Sequence, residues 1–168
     1  MQICVVQGDI ATEEVDVIVN AANTRLSGGG GVDGAIHAAA GAAALHAACA
    51  ALGGCAVGDA KLTPAFGLRA RYIAHAVGPV WRGGTAGEAG LLASCYRRCL
   101  ELAAEVGARS IAFPAISTGI YGYPAAPAAR IAVDTIRATE VDLTLVRLVA
   151  FEAKTAALYR AALGSGTP

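Results

Sequence analysis

Val15-Asp16-Val17-Ile18-Val19-Asn20-Ala21-Ala22-Asn23 is an apolar run that stops in an asparagine-bearing loop. A few residues on, the chain reads Leu26-Ser27-Gly28-Gly29-Gly30-Gly31-Val32-Asp33-Gly34-Ala35-Ile36-His37. Together these are a short strand over 15–19, a loop, and a glycine run that opens onto a helix. Alanine-rich sequence carries the helical pattern over 32–52, with Gly41 as a break.

The alternation extends outward from there. Residues 3–6 read as an earlier strand. Residues 61–64 and 72–77 are strands flanked by glycine and proline. A strong helix over 88–106 stops at Gly107. Residues 110–114 form a strand, 124–138 a helix with proline at its start, 143–151 a strand and 152–163 a closing helix. Strands alternating with helices predict a three-layer α/β/α domain over residues 1–163 with a largely parallel sheet, and a frayed tail over 164–168. Ligands of such sheets bind beyond the carboxyl ends of the strands.

Composition narrows the function classes. The 168 residues fit one domain that needs no disulfide or metal to fold. Hydrophobic residues at 55% and charged residues at 15% mark a compact chain, with alanine inflating the first figure. Lys plus Arg equals Asp plus Glu, 13 each, so no whole-chain positive field attracts a polyanion. Three Phe, five Tyr and one Trp disfavour a stacking platform for nucleic acid. No run reaches the ~20 apolar residues of a membrane span, and residues 1–9 read as a strand, not a signal peptide. The expectation is a cytoplasmic monomer. Five cysteines without a CxxC pair, and three scattered histidines, supply no zinc set.

The glycine run and Pro114-Ala115-Ile116-Ser117-Thr118-Gly119-Ile120-Tyr121-Gly122-Tyr123-Pro124 both lead into helices. Such loops let backbone N–H groups ring an anion beside a helix N-terminus. Two could hold a diphosphate without a lysine. A Walker GxxxxGK[ST] is absent, and Gln7-Gly8-Asp9-Ile10 does not match a dinucleotide fingerprint. Asn23 can bond sugar hydroxyls. Asp33 can accept a proton from water, or simply complement the helix dipole. For Asn20, turn formation is the favoured reading, more than for Asn23. Asp9 can receive a base amino group or cap the next turn. Tyr121 and Phe151 can stack on a base or sugar, and Phe151 can equally be core. Ser117 and Thr118 lack a neighbouring histidine to activate them. His37 and His75 read as structural.

Asn20–Asn23, the 28–37 stretch, 58–62, 72–79 and 111–124 together resemble the macrodomain family, specifically its MacroD-type hydrolase branch. The resemblance runs from Gln7 to about Tyr159, and Val77-Gly78-Pro79-Val80-Trp81-Arg82-Gly83-Gly84 is similar to the bacterial form. It implies a six-stranded mixed sheet between helices and ADP-ribose as ligand. Asp9 would bind the adenine amino group, with Ile10 beside the ring and Phe151 packed on it. The loop holding Gly30, Gly31 and Val32 and the loop holding Ser117, Thr118, Gly119, Ile120 and Tyr121 would enclose the diphosphate and distal ribose. Asn23 would orient that ribose, and Asp33 would activate or position the attacking water. The implied reaction is hydrolysis of mono-ADP-ribose from acidic side chains of proteins and of O-acetyl-ADP-ribose, without cofactor or metal. The alternative is a non-catalytic reader of ADP-ribose marks; retention of Asn23 and Asp33 argues for hydrolysis. Ile120 stands where the branch often has valine, a small change. Thr24-Arg25 replaces small polar residues, and Arg25 is read as a solvated surface side chain.

Overall fold

A computed structural model describes residues 1–164. The element order is β1 (Gln2–Gln7), a 3-10 turn (Ile10–Thr12), β2 (Val17–Ala21), α1 (Gly31–Ala40), α2 (Ala42–Ala51), β3 (Ala60–Pro64), β4 (Tyr72–Ala76), α3 (Glu88–Glu105), β5 (Ser110–Phe113), α4 (Ala125–Ala138), β6 (Leu145–Ala150) and α5 (Ala153–Gly164). One six-stranded sheet has the order β1-β6-β5-β2-β4-β3. Only β3 runs antiparallel, against β4. The expected mixed, largely parallel sheet between helical layers is what forms.

Side-chain alternation along β2 divides the core. Val17 and Val19 face the larger apolar cluster with α3, α4 and α5, while Ile18 faces the smaller one with α1, α2 and the 3-10 turn. Asn20 follows Ile18 on that second face. By the same alternation Ile73 and His75 of β4, and Thr63 of β3, share it.

Three boundaries differ from expectation with consequences. First, β2 begins at Val17, not 15, because Asp16 is drawn aside. Its Oδ2 accepts the backbone N–H of Arg109 at 2.7 Å and of Ser110 at 3.2 Å, pinning the start of β5. The strand instead continues through Asn20 to Ala21. Second, β6 ends at Ala150, which leaves Phe151 outside the sheet. Third, Gly164 closes α5 and is not part of a frayed tail; the rest of that expected tail, 165–168, lies outside the described residues. Gly41 breaks the helical stretch as expected, with φ +106 and a bend of 110° between α1 and α2.

Strands β2 and β5 are neighbours, yet the chain leaves β2 for α1 on one face and β5 for α4 on the other. Loops that diverge this way open a crevice at the carboxyl edge, the usual ligand position in such sheets. Phe113 anchors that edge from below, fully buried with its ring 5.0 Å from Tyr96. Phe113→Ala is expected to cost about 3–5 kcal/mol of stability, read as a lower urea midpoint with an unchanged slope; a loss below about 1 kcal/mol would mean that β5 is not packed as described.

Candidate functional site

All the expected site residues gather on one rim, the carboxyl edge of β1, β6, β5 and β2. Sheet order spreads them in a line. Asp9 follows β1 and Phe151 follows β6, while Ser117–Tyr121 follow β5 and Asn23–Asp33 follow β2. Three strand spacings, about 14 Å, separate the first from the last. An extended ligand is the natural occupant.

At the β1 end, Asp9 is exposed and caps the 3-10 turn, its Oδ1 accepting the Ala11 N–H at 2.9 Å. The cap occupies Oδ1, and Oδ2 has no hydrogen-bond partner among the described residues. Ile10 is 4% exposed and packs into the core below, so little of its side chain reaches the crevice. Phe151 does. It is 79% exposed, which decides against the core reading. An exposed aromatic beside the crevice is a stacking surface.

Between the ends, the glycine loop meets the N-terminus of α1. Gly30 is the N-cap residue and contributes no side chain, so the first-turn N–H groups face outward. Gly28 and Gly31 have φ of +80 and +58, a conformation side chains resist. Val32 is half-buried against the smaller core cluster and anchors the loop. A Cβ on Gly34 would lie 2.5 Å from the Gly29 carbonyl oxygen, so glycine at 34 is what lets the loop fold back onto its helix.

The opposing loop is held just as tightly. Ser117 takes φ +66, rare for a residue with a side chain and a mark of local strain. Its hydroxyl is buried without a hydrogen-bond partner among the described residues. A Cβ on Gly78 would overlap that hydroxyl and lie 2.6 Å from Ile116 Cγ2. The Thr118 hydroxyl donates to the Ala115 carbonyl at 3.0 Å, and the Gly122 N–H to the Gly119 carbonyl at 3.0 Å. Ile120 is 94% exposed at the tip, and Tyr121 is half-buried.

A brace that sequence reasoning missed fixes Tyr121. The Trp81 N–H donates to the Tyr121 carbonyl at 2.8 Å, and the Trp81 ring packs on Tyr123 at 4.7 Å. Behind Trp81, the Glu88 carboxylate accepts the N–H groups of Arg82 at 3.0 Å, Gly84 at 2.8 Å and Ala86 at 2.6 Å. These bonds hold its pKa at about 2. The sequence signal was the glycine-rich turn ahead of a helix that starts with an acid.

The β2 end corrects one expectation. Asn23, not Asn20, builds the turn. Its Oδ1 accepts the N–H groups of Arg25 and Ser27, both at 3.1 Å, and its Nδ2 donates to Ser27 Oγ and the Gly28 carbonyl, also at 3.1 Å. Asn23 therefore shapes the approach to the glycine run. Asn20 is fully buried inside β2, where its Nδ2 donates to Asp33 Oδ1 at 2.9 Å. Asp33, 7% exposed, also meets His37 Nε2 at 3.3 Å, one helical turn away. A Cβ on Gly29 would lie 3.6 Å from Asp33 Oδ2, which places that oxygen beneath the glycine loop. The pair Asp33/His37 was visible as an i, i+4 spacing.

His75 is structural, as expected, and fully buried. Its Nδ1 lies 3.1 Å from Asn20 Nδ2 and its Nε2 lies 2.8 Å from Thr63 Oγ1. Desolvation lowers its pKa from 6.5 to about 4, helped by nearby His37, which burial also lowers.

Among the described residues no group of His, Cys, Asp and Glu could hold a metal ion. A separate concavity of about 450 Å³ opens at the opposite rim, lined by residues including Asp16, Arg69 and Arg71. It contains none of the glycine-loop residues, and its Glu14–Arg69 pair is a solvent-exposed surface contact.

A family model described as the Macro domain matches residues 19–132. The chain belongs to the macro domain family. This macrodomain is 57% identical over 157 residues to a macro domain-containing protein of Ralstonia nicotianae, covering 94% of this chain and 91% of that one. It is 58% identical over 139 residues to a protein of Enterobacter cloacae named O-acetyl-ADP-ribose deacetylase, covering 80% and 77%. Among solved structures, a variant of the Oceanobacillus iheyensis macrodomain with ADPR superposes with TM-score 0.91 at 44% identity, covering 95% and 90%. The Trypanosoma brucei macrodomain in complex with ADP-ribose gives 0.87 at 41%, covering 96% and 69%.

Gly78→Ala should displace the Ser117 loop, seen as shifted amide resonances of residues 116–121 with circular dichroism as the fold control; unshifted resonances would show that this loop does not need the space at 78. His75 binds fewer protons folded than unfolded between pH 6.5 and 4, so its contribution to stability falls as pH drops through that window. Urea unfolding of wild type should lose about 2–3 kcal/mol more between pH 7 and 4.5 than His75→Gln does. Equal losses would contradict a neutral buried imidazole.

Proposed function

We propose that this macrodomain binds ADP-ribose along the crevice and hydrolyses ester bonds at its distal ribose, removing mono-ADP-ribose from acidic protein side chains and deacetylating O-acetyl-ADP-ribose. The observation that carries the reading is Asp33. A carboxylate is held under a phosphate-type glycine loop by the Asn20 amide, with His37 Nε2 3.3 Å away, at the end of the crevice opposite an exposed aromatic. Phe151 would take the adenine, with Asp9 Oδ2 beside it for the amino group. The backbone N–H groups of 30–32 and of 118–121 would surround the diphosphate, supported by the α1 N-terminus.

That arrangement puts the distal ribose over Asp33. There the carboxylate orients a water, or accepts its proton, as the water attacks the ester carbonyl. Acyl esters are activated enough that a positioned water suffices; no nucleophile in the crevice has an activating partner, and Thr118 is already bonded to Ala115. Retention of an acid here goes beyond what a reader of ADP-ribose marks requires. Five free thiols, four of them buried, accord with a reducing, cytoplasmic setting.

Asp33→Ala should lower turnover of O-acetyl-ADP-ribose, and release of ADP-ribose from a glutamate-modified protein, by about a hundredfold or more while changing ADP-ribose affinity far less. Equal losses in rate and affinity would assign Asp33 to binding or folding. Binding without turnover in wild type would make the protein a reader.

A further inference from the structure

Asp33 is one end of a buried chain of polar groups that crosses the sheet. The chain runs from Asp33 on α1 to Asn20 on β2, His75 on β4 and Thr63 on β3, each less than 9% exposed. Asn20 and His75 are direct cross-strand partners, and Thr63 sits diagonally from His75 on the same face.

The direction of each hydrogen bond can be assigned from the carboxylate outward. Asp33 Oδ1 accepts, so the Asn20 group 2.9 Å away is the donor Nδ2. The second Nδ2 hydrogen then points at His75 Nδ1, which must present a lone pair. A neutral imidazole with a bare Nδ1 carries its proton on Nε2. Nε2–H faces the Thr63 hydroxyl oxygen at 2.8 Å, with Cys49 Sγ more distant at 3.7 Å. The other tautomer would set N–H against N–H and leave buried donors unpaired, at about 1–3 kcal/mol each. Asn20 Oδ1 has no partner among the described residues, so the amide is restrained only through Nδ2.

We propose that Thr63 is a positioning residue for Asp33: its hydroxyl accepts the Nε2–H of the His75 tautomer that the Asn20 amide requires, which stabilises that tautomer, and the amide so held aims the Asp33 carboxylate into the crevice. Thr63 lies two strands from Asn20, and among the described residues its hydroxyl bonds to neither loop. The proposal rests on the hydrolase reading. Small displacements of a catalytic group are costly, about a hundredfold for 1 Å, so loss of the Thr63 acceptor should reach the rate without reaching the ligand-binding loops.

The test compares wild type, Thr63→Val and Thr63→Ser. Three quantities are read: the imidazole ¹⁵N resonances of His75, kcat and KM for O-acetyl-ADP-ribose, and the Kd for ADP-ribose. Wild type should show His75 protonated on Nε2 alone. Thr63→Val should mix the tautomers and lower kcat roughly tenfold, with KM and Kd within about twofold. Thr63→Ser, which restores the hydroxyl, should recover both the spectrum and most of the rate. An Nδ1–H tautomer in wild type overturns the proposal, as does an unchanged kcat in Thr63→Val. A parallel fall in kcat, affinity and melting temperature that serine does not rescue also overturns it, because that is the pattern of simple core damage. If wild type itself turns nothing over, the hydrolase reading has failed and the positioning role falls with it. Active wild type with Thr63→Val of equal kcat overturns the positioning role alone.

Discussion

One side-chain amide joins the sheet to the first helix of this macrodomain. Asn20 is buried in the central strand β2, and the two hydrogens of its Nδ2 are divided between Asp33 of α1 and His75 of β4. A buried carboxylate is costly unless it is paired and hydrogen-bonded. Here the hydrogen bond comes from Asn20, with His37 beside it on the same helix, and the Asn20 bond ties the start of α1 to the sheet. The glycine loop is in turn fixed by the start of α1. The position of the anion-type N–H groups therefore follows from satisfying one buried acid.

The second constraint is steric. The loops that leave β2 and β5 are each held by a close approach that leaves no room for a side chain. Gly34 removes the side chain that would strike the Gly29 carbonyl, and Gly78 removes the one that would strike Ser117 and Ile116. Neither has φ in the left-handed region; the need is for space. Gly28 and Gly31 answer the different need for a backbone conformation. On the far side, Trp81 and Glu88 tie the Tyr121 end down from behind. On the proposed reading a diphosphate would be held by oriented backbone dipoles with no lysine or arginine, so the neutral overall charge of the chain is no obstacle.

Much of this was legible in the sequence. The alternation of strand and helix, the break at Gly41 and the two glycine-bearing loops followed from periodicity and turn chemistry. The sequence also placed Asp33 and Phe151 at the carboxyl edge. It could not settle which asparagine builds the turn, since both stand at the end of an apolar run and both favour turns. The outcome depended on β2 running to Ala21, and that depended on Asp16 reaching across to Arg109 and Ser110, more than ninety residues away. Position after a strand also does not say which way the Ile10 side chain points, and the 3-10 turn rotates most of it into the core. His75 looked like an isolated polar residue in an apolar strand, and nothing in its own stretch marked Thr63 out. Their partnership appears only when β3 folds back antiparallel on β4, a non-local pairing that no local pattern reports.

The most direct test of the account is a crystal structure of this protein soaked with ADP-ribose. The account predicts the diphosphate between residues 28–32 and 117–121, the adenine against Phe151, and the distal ribose within hydrogen-bonding or one-water reach of Asp33. ADP-ribose lying in the concavity at the opposite rim, or in the crevice with its distal ribose turned away from Asp33, would contradict it.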